Sequence, residues 1–104
     1  MLFFGGVLEK EMNTEERFVV KQIVGRALDK GYLLTAYDGE EYPIKNSDDL
    51  EAVMAGLGHC DDEWLIVSNA DGKRIGAIYL VYGNDADEVV ADCTDKPEIL
   101  EIVG

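Results

Sequence analysis

Between Trp64 and Asn84 the chain reads WLIVSNADGKRIGAIYLVYGN, and this stretch limits the possible folds more than any other. Trp64 to Ser68 and Ile75 to Tyr82 are rich in β-branched and aromatic residues, which pack well on a pleated surface. Asn69-Ala70-Asp71-Gly72 between them supplies turn chemistry and a glycine free to take positive φ, so the stretch predicts a β-hairpin. Along the second arm Ile75, Ala77, Tyr79 and Val81 alternate with Gly76, Ile78, Leu80 and Tyr82. Neither face is polar, which places the arm inside a sheet and demands cover on both sides, with the face away from the helices covered by the N-terminal segment, the C-terminal tail or a second subunit.

Caps and periodicity define the elements around the hairpin. Asn13 and Glu16 form a capping-box signature, Val20, Ile23, Val24, Ala27 and Leu28 recur at helical spacing, and Gly31 offers a stop. A helix is expected from Asn13 to Lys30, with Glu15, Arg17, Lys21, Arg26 and Asp29 on its solvated side. Tyr32 to Tyr37 reads as a strand, Asp38-Gly39-Glu40 as a turn and Glu41 to Lys45 as a return strand, which Pro43, having no N–H to donate, confines to an edge. Ser47 is the expected cap of a second helix, with Asp48 and Asp49 at the positive end of its dipole and Leu50, Val53, Met54 and Leu57 as its buried stripe. A last strand is expected over Glu88 to Thr94, and Pro97 to Val103 fits either a short helix or an edge strand. With no βαβ alternation, this order predicts an α+β domain: an antiparallel sheet of four to five strands with two helices packed mainly on one face. The domain is expected over residues 12–104. Residues 1–11 read as an extension, because Glu9-Lys10-Glu11 ahead of Met12 would be encoded by purine-rich codons of the kind that make a ribosome-binding site, with Met12 as the natural start.

Charge narrows the choice of partners. The 22 Asp and Glu outweigh 9 Lys and Arg to give a formal net charge of −13, which makes nucleic acid and anionic membrane poor partners and basic protein surfaces good ones. Fourteen of the acids but only three of the bases follow residue 46, so the imbalance belongs to the hairpin and what comes after it. Asp61, Asp62 and Glu63 precede the first arm, while Asp85, Asp87 and Glu88 follow the second. Antiparallel pairing brings both clusters to one end of the sheet, and Asp92 and Asp95 extend the acidity along the last strand. Trp64 and Tyr82 are the aromatic candidates for a partner contact beside these acids.

Catalytic and cofactor motifs are not recognisable, and no cofactor is expected. Asp85-Ala86-Asp87-Glu88 begins like a calcium loop but lacks the glycine at its sixth position and the glutamate at its twelfth. His59-Cys60-Asp61 is too contiguous to converge on a metal ion, and the chain has a single histidine. Cys60 and Cys93 form no CxxC pair, which fits reduced thiols in the cytoplasm. The opening MLFFGGVLE has no basic residues before it and is too short for a signal peptide or a membrane span.

The runs YDGEE (37–41), WLIV (64–67), GKRIG (72–76) and VYGND (81–85), followed by Asp92 and Thr94, give residues 12–95 a likeness to a known group. In order and spacing they resemble a family of small acidic uncharacterised proteins encoded in phages, prophages and their proteobacterial hosts. The resemblance carries over no catalytic residue; it implies a setting in which inhibitors and decoys are common. The functional expectation is a non-enzymatic acidic protein that mimics nucleic acid and blocks a nucleic-acid-binding protein. The alternative is a structural or accessory homodimer whose acidity only keeps it in solution.

Overall fold

A computed structural model describes residues 12–104, and the expectations for residues 1–11 lie outside the described residues. The chain order is α1 (Thr14–Asp29), β1 (Leu33–Tyr37), β2 (Ile44–Ser47), α2 (Leu50–Gly56), β3 (Asp62–Ser68), β4 (Arg74–Val81), a 3₁₀ turn (Ala86–Glu88), β5 (Val90–Cys93) and α3 (Pro97–Val103). The five strands form one antiparallel sheet in the order β2-β1-β3-β4-β5. The α+β expectation therefore holds, with three helices among the described residues rather than two, because Pro97 to Val103 is helical. Pro97 opens α3, where its missing N–H has no partner to lose, and Ile99 and Ile102, one turn apart, are its buried side.

α1 starts as its sequence dictates: Asn13 Oδ1 accepts the Glu16 N–H at 2.8 Å and Glu16 Oε1 accepts the Asn13 N–H at 3.0 Å. The start of α2 differs from expectation. Asp49, not Ser47, is the cap, accepting the N–H groups of Glu51 and Ala52, while Ser47 closes β2. The displacement follows from a bulge in β2. Ser47 lies opposite Leu34 but Ile44 opposite Ala36, so an extra residue is inserted, and Asn46 takes φ 46°, a left-handed conformation that asparagine tolerates. β5 is likewise bulged and begins later than expected, because the acidic run Ala86–Glu88 is wound into a 3₁₀ turn. Both edges are thus four residues long and irregular, which discourages pairing with another sheet.

One buried cluster holds the elements together. Val20, Ile23, Val24 and Ala27 of α1, Val53 and Met54 of α2, Leu57, and Ile99 and Ile102 of α3 pack with Leu34, Ala36, Leu65, Val67, Ile78 and Leu80 of the sheet. Leu33, Tyr37, Trp64, Ile66, Ile75, Tyr79 and Val81, which alternate with those strand residues, are only half-buried. Arg26 does not belong to the solvated side of α1 as expected. Its Nε donates to the Ile102 carbonyl at 2.9 Å and its Nη2 to that of Val103 at 3.4 Å, so a cation closes the negative end of α3.

Two glycines give opposite outcomes on substitution. At Gly76 in β4 an added Cβ would lie 2.8 Å from Ile99 Cγ1 and 2.9 Å from Thr94 Cβ, so α3 packs where it does because no side chain intervenes. Gly76→Ala is expected to lower stability by about 1–3 kcal/mol in urea denaturation. Inside α1 nothing among the described residues lies within 4 Å of a Cβ at Gly25, and Gly25→Ala is expected to gain about 0.5–1 kcal/mol by the same measurement.

Candidate partner-binding surface

Antiparallel register decides where the acids go. Asp62 lies opposite Val81, and the Tyr82 N–H donates to the Asp61 carbonyl at 2.9 Å, so the chain enters β3 and leaves β4 at one end of the sheet. β1 runs antiparallel to β3 with Tyr37 opposite Trp64, which brings the β1–β2 connection to that same end. Asp38, Glu40 and Glu41 therefore join Asp61, Asp62, Asp85, Asp87 and Glu88, and all eight are exposed. The connections that carry them, 38–43, 57–61 and 82–89, contain no lysine or arginine. Lys30, Lys73, Arg74 and Lys96 sit at the opposite end, interspersed with Asp29, Asp48, Asp71, Asp95 and Glu98, and Arg17 is turned to the Met54 carbonyl at the close of α2. Asp38 accepts the N–H groups of Glu41 at 2.7 Å and Glu40 at 2.9 Å, which hold its carboxyl below the usual carboxylate range and keep the turn compact.

Two residues expected on this surface are inside the protein. Glu63 is 2% exposed, and Tyr82 donates its hydroxyl to it from an equally buried position. The same Glu63 oxygen accepts the Gly58 N–H at 2.7 Å, and the Cys60 thiol lies 3.8 Å from the other. Beside them Glu16, fully buried, accepts the Gly83 N–H at 3.0 Å. Strand alternation held the signal for this: Glu63 stands two residues before Leu65 and four before Val67, and Tyr82 two after Leu80, so both share the core parity. Their polar chemistry masked it. Burial, and then the negative charge of Glu63, raise the Tyr82 hydroxyl well above the ordinary phenol value; the same two causes push the Cys60 thiol up to about 11.

The remaining candidates divide by position. Trp64 points to the half-buried face, its ring 4.7 Å from that of Tyr79, whose hydroxyl donates to Asp62. Asp92 and Asp95 are exposed along the β5 edge, Asp92 opposite Tyr79 and Asp95 beyond the strand toward the opposite end of the sheet. The geometry thus gathers Asp61, Asp62, Asp85, Asp87 and Glu88, sets Asp92 and Asp95 along a margin, and removes Glu63 and Tyr82. Sequence reasoning missed Asp38, Glu40 and Glu41, because the pairing of β1 with a strand beyond α2 leaves no local trace.

His59 is exposed and donates from Nε2 to the Ala55 carbonyl at 2.7 Å, and Cys60 donates to the Asp62 carbonyl. Both are engaged in ordering the loop between α2 and β3. No cluster of three or more His, Cys, Asp or Glu suited to a metal ion occurs among the described residues. No helix among them is long and apolar enough to cross a membrane. Comparison with protein-family models, curated proteins and solved structures finds no match for this chain.

Cys60 and Tyr82 hold their protons more tightly folded than unfolded, so the stability that neutral Cys60 contributes is complete below the ordinary thiol value of 9.0 and is lost as pH rises toward 11, while that of neutral Tyr82 is lost only above the ordinary phenol value of 10.0. Denaturation followed from pH 7 upward is expected to show a decline that begins above the ordinary thiol value of 9.0 and steepens above 10.0. Tyr82→Phe, which cannot ionise, is expected to remove the steeper part and, by leaving Glu63 short of a donor, to cost about 1–3 kcal/mol at neutral pH.

Proposed function

We propose that the protein is a non-enzymatic acidic binding protein that engages a basic surface of a protein partner, of the kind that nucleic-acid-binding proteins present to phosphates. The observation that carries this reading is the convergence of three acid-bearing connections, free of lysine and arginine, on one end of the sheet. Charges set side by side on a fixed scaffold focus a field that free side chains on a mobile tail would spread. The only ion pair among the described residues joins Lys30 to Glu101, so none of the described carboxylates of the acidic end is ion-paired within them. Carboxylates without bases among them at one end, against acids and bases mixed at the other, give the molecule a charge asymmetry along the strands, which orients an approaching cationic partner. The resemblance to small acidic phage and prophage proteins supports a blocking role, in which the acidic end occupies a groove meant for nucleic acid. Sheet-to-sheet homodimerisation is the less favoured reading, since it brings together two chains that each carry −13.

Position can be separated from total charge by two variants of equal net charge. In one, Asp61, Asp85 and Asp87 become Asn and Glu88 becomes Gln; in the other, Asp29, Asp48 and Asp71 become Asn and Glu98 becomes Gln. Capture from host lysate by the natural chain is expected to recover a basic protein that DNA displaces and that is released as ionic strength rises above about 0.1 M, where screening shortens to about 10 Å. The first variant is expected to lose that protein and the second to keep it. Equal loss in both would show that net charge alone is responsible and would overturn the assignment to this end.

A further inference from the structure

The half-buried face of the sheet carries a row of rings. Tyr37 is the cross-strand partner of Trp64, and Trp64 that of Tyr79. Tyr42 extends the row, with its ring 4.7 Å from that of Tyr37 and tilted by 31°, much as Trp64 lies 4.7 Å from Tyr79 at 32°. The result is two stacked pairs, with a cleft of about 270 Å³ lined by Tyr37, Tyr42, Trp64, Ile66 and Arg74. Lys45 already holds its ammonium 5.5 Å from the centre of the Tyr42 ring, within the reach of cation–π attraction. Carboxylates border the row: Asp62 accepts the Tyr79 hydroxyl, Asp92 lies opposite Tyr79 and Asp38 follows Tyr37. With Glu40 and Glu41 in the adjoining turn, they outnumber the two cations near the row, Lys45 and Arg74.

We propose, resting on the acidic-end reading above, that this row is a track for the guanidinium groups of an extended, arginine-bearing peptide segment of the partner. A guanidinium can lie flat on an aromatic ring while its edge donates to a carboxylate, and the row offers rings and carboxylates side by side. Three strand spacings make the row about 14 Å long, the reach of three alternate residues of an extended chain at about 6.8 Å each. Arginine at every second position therefore spans the row, the outer two over Tyr42 and Tyr79 and the middle one between Tyr37 and Trp64. Single-stranded nucleic acid also stacks on aromatic platforms. Here its phosphates would run against Asp62, Asp92 and a chain of net charge −13.

Trp64 is the only tryptophan in the chain, so its emission reports on the row directly. The full chain is titrated with a short peptide alternating arginine and serine, with its lysine counterpart, and with oligouridylate. The arginine peptide is expected to change Trp64 emission and to bind about tenfold more tightly than the lysine peptide, the difference a flat stack supplies. The double variant Tyr37→Leu, Tyr79→Leu is expected to abolish that preference while both peptides still bind in a salt-dependent way. The acidic-end variant is expected to weaken both peptides alike and keep the preference. Equal affinity for the two peptides with unchanged Trp64 emission overturns the track and leaves the acidic end standing. Failure of both peptides to bind, or tighter binding of oligouridylate, overturns both readings. The two-peptide comparison uses the unaltered chain, so a folding defect in a variant cannot obscure the outcome.

Discussion

Glu63 sits at the core margin with its oxygens turned to the Gly58 N–H, the Tyr82 hydroxyl and the Cys60 thiol, and the organisation of the acidic end depends on this one side chain. A carboxyl taken out of water is costly unless its lone pairs are met, and here no buried side-chain polar atom among the described residues lacks a partner. The contacts reach in two directions. Gly58 begins the approach to β3 and Tyr82 ends the exit from β4, so a single group fixes both connections that bear the hairpin's acids. Glu16 repeats the device from α1 by taking the Gly83 N–H, which ties the helix start to the same turn. Two acids are thus spent internally so that their neighbours can be presented externally in a fixed arrangement.

That arrangement explains how a sheet with half its apolar face uncommitted can also be a highly charged molecule. The core parity of β1, β3 and β4 is aliphatic apart from Glu63 and Gly76, and the opposite parity carries the aromatics Tyr37, Trp64 and Tyr79. Charge collects where strands end, since connections and not strands hold most of the carboxylates. Aromatic face and acidic end meet at Asp62 and Tyr79, which are hydrogen-bonded to each other. A partner seated there meets a surface that is apolar beneath and anionic at its rim, which is the division of labour found in well-formed interfaces.

Much of this was legible because local rules agree with the global fold. α1 carries its cap, its stripe and its stop in the sequence, and the hairpin carries its turn and two arms. What escaped local reading did so for identifiable reasons. The cap of α2 moved from Ser47 to Asp49 because the β2 bulge at Asn46 keeps the strand going, and a bulge is a tertiary accommodation with no residue signature of its own here. Glu88 left the last strand because three consecutive residues after Asp85 close a 3₁₀ turn. Glu63 and Tyr82 read as surface residues by polarity although periodicity points the other way, and the buried hydrogen bonds that reconcile the two, from the Gly58 N–H and the Tyr82 hydroxyl to one Glu63 oxygen, are invisible without the fold. Asp38, Glu40 and Glu41 required knowing that β1 pairs with β3 across the intervening α2.

Arg26 closes the carbonyls of Ile102 and Val103, and through them the first helix completes the last. During synthesis this has a temporal meaning. α1 leaves the ribosome with its apolar stripe still uncovered, and the turn that it caps is made some 76 residues later. The interior closes only once that turn has emerged, so α1 waits through the synthesis of the whole sheet before its last contact is made.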